Sequence, residues 1–298
     1  MRILLLGKSG QIGWELQRSL TPLGELIALA RDSADFCADL SRPDELAQTV
    51  RALKPDVIVN GAAHTAVDKA ESEADIARLL NATAPGVLAA EAARCGAWLL
   101  HYSTDYVFDG SGRTPWVEDD APAPLSVYGR TKLEGEMLIR ESGCKHLIFR
   151  TSWVYAARGV NFARTMLRLA AERDRLDVVA DQIGAPTGAE LIADVSALAL
   201  RSAVDRPELS ATYHLAAGGE TSWHGYARFV IEWARLQGVP IRVPAGAILP
   251  VASSAFATAA RRPLNSRLDT QRLQRYFGLA LPPWQRGVER MLAEVSGH

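Results

Sequence analysis

Tyr128 and Lys132 stand four residues apart in the run Val127-Tyr128-Gly129-Arg130-Thr131-Lys132. On a helix, positions i and i+4 share a face, so the phenol and the ammonium would be neighbours. A free tyrosine ionises near pH ~10, and a nearby ammonium lowers that value by stabilising the phenolate. Such a pair suits the reduction of a carbonyl, in which hydride goes to carbon and the tyrosine proton goes to oxygen. By itself the spacing equally describes an ordinary surface pair. A second signal sits upstream: residues 101–110, HYSTDYVFDG, close an apolar run on Ser103 and Thr104. A hydroxyl there could orient the carbonyl oxygen.

A hydride carrier is expected from the N-terminus. Gly7, Gly10 and Gly13 follow a short apolar run and open a helical pattern. The spacing is GxxGxxG rather than the commoner GxGxxG of dinucleotide sites. The physics is shared: a tight turn, close approach of backbone to a pyrophosphate, and tight helix–strand packing. The helix N-terminus offers free N–H groups to the anion. The other reading is a purely structural turn. At the end of the second apolar run stand Ala30, Arg31 and Asp32. A guanidinium there suits a 2′-phosphate and points to NADPH. Asp32 as the ribose acceptor would leave NADH open.

These groups need elements to hold them. Apolar runs over residues 2–7, 25–30, 56–63, 97–104 and 146–155 read as strands. Between them, residues 11–20, 44–54, 75–96 and 127–143 carry helical spacing. Continuous apolar strands alternating with helices predict an α/β fold, a Rossmann-type doubly wound parallel sheet buried on both faces. Ligands of such sheets bind at the carboxyl ends of the strands. The candidate chemistry falls there, after Leu6, Ala62, Thr104 and Arg150. Farther on, residues 159–173, 189–204 and 282–296 read as helices and 211–219 as one more strand. Residues 243–269, rich in Ala, Pro and Ser, read as a loop that covers a ligand. Residues 1–150 are expected to bind the nucleotide, with residues 188–218 returning to that unit. Residues 151–298 are expected to form a smaller, mainly C-terminal substrate-binding domain.

Composition narrows the function classes. The chain has 298 residues, 48% hydrophobic, with formal net charge -1. Nucleic-acid and membrane-surface proteins usually show a basic excess, so neither partner is expected. Cys37, Cys95 and Cys144 are odd in number and widely spaced, which fits buried thiols in a reducing compartment. The apolar start meets glycine too soon for a signal peptide or membrane span, so the protein is expected to be cytoplasmic.

Several runs together resemble a known family. They are Gly7–Gly13, NGAAHTAVDKAE (60–71), STDYVFDG (103–110), YGRTKLEGE (128–136), RTSWVY (150–155) and DQIGAPTGAE (181–190). They resemble the short-chain dehydrogenase/reductase superfamily and, within it, the dTDP-4-dehydrorhamnose reductase family, over nearly the whole chain. The resemblance implies a Rossmann domain with a smaller substrate domain. It implies NAD(P)H reduction of the 4-keto group of a dTDP-sugar to give dTDP-L-rhamnose for cell-surface polysaccharide. Thr104, Tyr128 and Lys132 match the family's catalytic set. Gly7, Gly10, Gln11 and Ile12 match its pyrophosphate loop, and Tyr128 and Lys132 also reach the cofactor. Asp39 and Leu40 match positions beside the adenine, and Ala62, Ala63 and Thr65 line the path to the nicotinamide. Trp153 would pack on the sugar, with a core tryptophan as the other reading. Asp105, Tyr106, Gln182 and Pro186 are further pocket candidates.

Some members bind Mg²⁺ at a homodimer interface through glutamates, and Glu15, Glu190 and Glu294 match those positions. Where the family often carries an acid at the end of strand two, this chain has Ala30. Two other readings stand beside the reductase. One is an epimerase or dehydratase of the same superfamily, although the glutamate that a dehydratase places after its Thr-Asp is Tyr106 here. The other is a non-catalytic subunit resembling the methionine adenosyltransferase β subunit.

Overall fold

Ile3, Leu4, Leu5 and Leu6 are all fully buried, which a strand achieves only when both its faces are covered. The computed structural model describes residues 1–296 and shows how this is done. The first half runs β1 (Arg2–Leu6), α1 (Gln11–Leu20), β2 (Glu25–Leu29), α2 (Pro43–Leu53), β3 (Val57–Asn60), α3 (Val67–Ala70), α4 (Ala74–Arg78), α5 (Ala84–Cys95), β4 (Trp98–Thr104), α6 (Val127–Glu141) and β5 (Lys145–Thr151). The second half runs β6 (Val154–Tyr155), α7 (Phe162–Glu172), β7 (Leu176–Val179), β8 (Ile183–Gly184), β9 (Thr187–Gly188), α8 (Ala189–Val204), β10 (Ala211–His214), β11 (Thr221–Ser222), α9 (Trp223–Leu236), β12 (Ile248–Val251), α10 (Gln271–Phe277) and α11 (Trp284–Ser296).

Six strands form one sheet in the order β10-β5-β4-β3-β1-β2. Every pairing in it is parallel. The chain builds β2 on one side of β1 and β3 on the other, so the order reverses there and opens a crevice at the strand ends. Alternate residues face opposite layers. Ile3, Leu5, Val57, Val59 and Leu100 pack with Leu16 and Leu20 of α1 and Ile192 and Leu200 of α8. Leu4, Leu6, Ile58 and Leu99 pack with Leu46 of α2, Leu88 of α5 and Ile139 of α6. This is the Rossmann-type α/β arrangement expected from the strand pattern. A second lobe has its own core, in which Met166, Tyr226, Val230, Trp284 and Val288 join α7, α9 and α11. Among the late elements, β10 joins the sheet beside β5 and α8 packs on its core, as does Leu273 of α10.

Four elements differ from the sequence expectation. The helix expected over 75–96 is two helices joined by a π-helical turn, Leu79–Thr83. That turn aims Asn81 at the His64 backbone, from which its Oδ1 accepts at 2.8 Å and to which its Nδ2 donates at 3.1 Å. The strand expected over 146–155 stops at Thr151 and resumes as β6, because Trp153 takes a left-handed φ of 48°. The strand expected over 211–219 ends at His214. The region 243–269 contains β12, which pairs in parallel with β7. Pro250 in that strand lacks an N–H and masks its pattern, which an edge position tolerates. Beyond β12 the segment crosses to α3, where the Ala260 N–H donates to Asp68 at 3.1 Å and Arg262 pairs with Asp68 at 2.6 Å.

Candidate active site

The adjacent strands β1, β3, β4 and β5 end side by side, at Leu6, Asn60, Thr104 and Thr151. At the first end the glycines act as the spacing suggests. Gly7 has φ 83°, and a Cβ there would lie 2.9 Å from that of Ala62. A Cβ on Gly13 would lie 2.0 Å from the Gly7 carbonyl oxygen, so only glycine lets α1 sit this close to β1. Gly10 caps α1 without a side-chain hydrogen bond, and no acid occupies the first turn. The free N–H groups and the positive helix end fit an anion such as a pyrophosphate. Ile12 packs into the sheet core, and Gln11 donates to the Val160 carbonyl at 3.0 Å, across the loop after β6. Arg31 is exposed at the end of β2 and has no carboxylate partner among the described residues. Asp39 accepts from the Ser41 N–H and hydroxyl at 2.9 and 2.8 Å, and Leu40 is buried. Ala62, Ala63 and Thr65 form the loop between β3 and α3.

At the end of β4 the Thr104 hydroxyl donates to Asp105 Oδ1 at 3.1 Å and accepts from the Tyr106 N–H at 3.2 Å. Tyr128 reaches the same place from α6, and the Tyr106 ring meets its ring edge-on with centroids 5.6 Å apart. Burial pushes the Tyr128 phenol up to about 12, against the downward pull of its contact with the Thr104 hydroxyl. Thr104 and Tyr128 therefore converge. Burial also pushes Asp105 up to about 7, against the downward pull of nearby Ser266 and of the Thr104 hydroxyl that donates to it. Its Oδ2 has no partner.

Lys132 lies one turn after Tyr128 and is buried. Its ammonium nitrogen points to β4, 2.5 Å from the Tyr102 carbonyl and 3.2 Å from His101 Nε2. Burial pulls it down to about 8, against the upward pull of Glu136. Without the cofactor, burial and not Lys132 sets the direction of the Tyr128 shift. Both groups are desolvated, and loss of water raises the phenol while it lowers the lysine, which at about 8 stays charged at neutral pH. Glu136, one turn further on, is also buried. Its carboxylate accepts from Arg150 at 2.9 and 2.7 Å, from Ser103 at 2.5 Å and from Arg140 at 3.1 Å. Burial pushes Glu136 up, and Arg150 with Ser103 and Arg140 brings it below its ordinary range. This knot fastens α6 to β4 and β5.

Beside β5, Trp153 is half-buried and stacks on Trp223 with centroids 3.7 Å apart. Trp223 donates its indole N–H to Gln182 at 3.1 Å. A Cβ on Gly184 would lie 2.7 Å from the Trp153 ring, so glycine lets the DQIGAPT run pass beneath it. Gln182 and Pro186 are buried. One face of Trp153 is thus covered by Trp223 rather than free.

Glu15, Glu190 and Glu294 lie apart from these groups and line a separate cavity of about 240 Å³. The Mg²⁺ expectation finds no support in one chain. No group of three acidic, His or Cys side chains suited to a metal occurs among the described residues. Glu190 pairs with Arg290 at 3.0 Å and Glu15 with Arg18 at 3.6 Å, so arginine already meets these charges. A larger cavity of about 620 Å³, lined by Arg51, Lys54, Trp98 and Lys145, opens at the opposite end of the strands, away from these hydroxyls.

Sequence reasoning passed over Asn60, His101, Glu136 and Trp223. Two signals were available. Glu136 follows Tyr128 and Lys132 at the same four-residue spacing, and His101 interrupts an otherwise apolar strand.

The family model for the RmlD substrate binding domain matches residues 1–296. A dTDP-4-dehydrorhamnose reductase of Shigella flexneri is 59% identical over 295 residues, spanning 99% of this chain and 98% of that protein. The structure of a dTDP-4-dehydrorhamnose reductase from Bacillus anthracis in complex with NADP superimposes with a TM-score of 0.86 at 34% identity, covering 98% of this chain and 99% of that one. One from Clostridium acetobutylicum gives 0.87 at 34% identity, covering 99% and 100%. No helix among the described residues is long and apolar enough to cross a membrane. With the match running over practically the full length of both chains, this chain belongs to the RmlD substrate binding domain family, alongside the dTDP-4-dehydrorhamnose reductases.

Proposed function

We propose that this chain reduces the 4-keto group of dTDP-4-dehydro-L-rhamnose to give dTDP-L-rhamnose, with NADPH as the reductant. The observation that carries the reading is the meeting of the Thr104 hydroxyl and the Tyr128 phenol at the end of β4. It occurs in a chain 59% identical to a reductase of that name. The glycine loop and the N-terminus of α1 hold the pyrophosphate, Asp39 and Leu40 flank the adenine, and Ala62, Ala63 and Thr65 line the way to the nicotinamide. Arg31 meets the 2′-phosphate, and the NADP named for the Bacillus anthracis structure supports that choice. The bound cofactor supplies the hydride. Thr104 orients the keto oxygen, and Tyr128 donates its proton to it. Burial keeps that phenol protonated at neutral pH, which is the form a donor needs. Lys132 holds the nicotinamide ribose and takes part in the ionisation of Tyr128. Asp105, Tyr106, Trp153, Gln182 and Pro186 line the sugar side.

The sheet unit then carries the cofactor and the second lobe the dTDP-sugar, in the cytoplasm. A homodimer belongs to the same proposal. It is supported by Trp14 and Leu198, apolar side chains about half exposed on the adjacent helices α1 and α8. The experiment is Tyr128→Phe, assayed by loss of nicotinamide absorbance with the 4-keto sugar nucleotide. NADPH binding should persist while turnover falls on the order of 10²-fold or more. Turnover near the wild-type rate would remove Tyr128 as the donor. A wild-type chain that binds NADPH and never consumes it would favour the non-catalytic reading instead.

A further inference from the structure

Trp223 touches two of the residues that line the sugar side, and strand register puts it there. β11 pairs antiparallel with β8, with Ser222 opposite Ile183 and Thr221 opposite Gly184. The residue after Ser222 therefore stands across from the residue before Ile183, which sets Trp223 against Gln182. The Trp223 ring is held on two sides. It stacks on Trp153 with centroids 3.7 Å apart and an interplanar angle of 15°, and the Phe162 ring tilts against it at 4.6 Å. Trp153 is itself fixed, because a left-handed φ of 48° persists in a tryptophan only where the surroundings hold it.

The hydrogen bond between these two side chains fixes the amide. Trp223 Nε1 donates to Gln182 Oε1 at 3.1 Å. An indole is a donor only, so the amide oxygen must face it and the amide nitrogen must face elsewhere. Gln182 is 7% exposed, and its nitrogen makes no hydrogen bond to the described residues. Donors left unpaired in a nearly buried side chain are costly, and native sites pair them with a ligand or an ordered water. The neighbouring contacts lead to the hydroxyls of the site. Ile183, next to Gln182, accepts from the Ser266 N–H at 2.7 Å, and Ser266 lies beside Asp105, which follows Thr104.

We infer that Trp223 is a positioning residue for sugar recognition: its indole N–H turns the Gln182 amide so that the bound sugar nucleotide meets N–H donors and no acceptor. This rests on the dTDP-sugar reading given above and adds a recognising group to it. The matching ligand chemistry is an acceptor oxygen on the sugar, a hydroxyl lone pair or the ring oxygen. A sugar without that oxygen leaves the donors unpaired, and a site built to hydrogen-bond an oxygen rejects the analogue that lacks it. An amide free to flip would offer its own oxygen as readily as its nitrogen. Trp223 removes that freedom, because only the amide oxygen can accept from the indole.

The test is steady-state kinetics with the 4-keto sugar nucleotide at saturating NADPH. Gln182→Ala should raise KM for the sugar nucleotide about tenfold, the size of one hydrogen bond, with a smaller change in kcat. Gln182→Glu should lose as much, because an ionised carboxylate accepts from the indole but has nothing to donate. Trp223→Phe keeps a ring against Trp153 and lacks the N–H. It should raise the same KM severalfold in the wild-type background and add nothing in the Gln182→Ala background, since the two residues act as one unit. If Trp223→Phe does not fold, the benzothiophene isostere of Trp223, which keeps the shape of the ring without the N–H, takes its place. An unmoved KM in either Gln182 variant overturns the inference. So does a Trp223→Phe effect of equal size in both backgrounds, which would make Trp223 merely structural. A wild-type chain that does not reduce the 4-keto sugar nucleotide defeats the functional reading itself. Wild-type turnover with either of the overturning results defeats the inference alone.

Discussion

Asp105 is buried with one oxygen unpartnered among the described residues. Burial raises it to about 7 in the folded chain, against ~3.9 unfolded. Between those values the folded state keeps a proton that the unfolded state releases. The stability this supplies is complete below the unfolded value and is lost as pH rises through the folded one. Asp105→Asn keeps the shape without the charge. We expect it to raise the melting temperature at about pH 8 and to leave it nearly unchanged at about pH 4, since only at the higher pH is the wild-type carboxylate charged. Equal shifts at both pH values, read by calorimetry, would show that Asp105 does not titrate there. Arg31 makes a separate case, since its exposed guanidinium has no carboxylate partner among the described residues and the proposed function puts it at the 2′-phosphate. Arg31→Ala should raise KM for NADPH on the order of tenfold, about 1.4 kcal/mol, with little change for NADH. Equal effects on both cofactors would take Arg31 out of the phosphate site.

At the scale of elements, α6 is where sequence and packing meet. Ser126 caps it by accepting from the Gly129 N–H at 3.1 Å, and Glu71 accepts from the Val127 N–H at 2.7 Å. Two glycines let it approach its neighbours. A Cβ on Gly129 would lie 2.2 Å from the Tyr106 carbonyl oxygen, and one on Gly135 would lie 2.1 Å from that of Asn81. Gly135→Ala must therefore push α6 off the π-helical turn. Overpacking of this kind costs about 1–3 kcal/mol, which thermal unfolding would read as a lower midpoint. Turnover should fall too, since Tyr128 and Lys132 ride on the same helix. An unchanged midpoint would mean that the turn relaxes freely. The helical spacing of α6 was legible in its sequence. The π-helical turn was not, because Asn81 earns that geometry only by bonding His64 and Thr131, which are far away in sequence.

At the scale of the whole molecule, the strand order brings residues from four strand ends to one edge. The second lobe adds Trp153, Gln182 and Trp223 from the side, and Arg262 ties the late segment to Asp68 of α3. The exposed Trp14 and Leu198 are what the homodimer proposal would cover. Sedimentation should then give a species of twice the 32.3 kDa chain mass. Leu198→Glu should shift it towards the monomer. A monomer at all concentrations would dismiss the dimer and, with it, any shared metal at Glu15, Glu190 and Glu294.

The sequence by itself determined the parallel sheet, since runs such as Ile3–Leu6 are too apolar for any strand with a wet face. It also determined the glycine loop and the register of Tyr128 and Lys132, because helical spacing and the missing Cβ of glycine are local facts. Only the tertiary structure decided the charge states. Desolvation shifts Lys132 and Tyr128, with Glu136 acting against it at the lysine and Thr104 at the phenol. It also decided that Trp153 leans on Trp223 and that the three glutamates line one cavity without forming a metal-ligand cluster among the described residues. Ionisation and stacking depend on what surrounds a side chain, and those surroundings come from residues that the chain brings near only by folding.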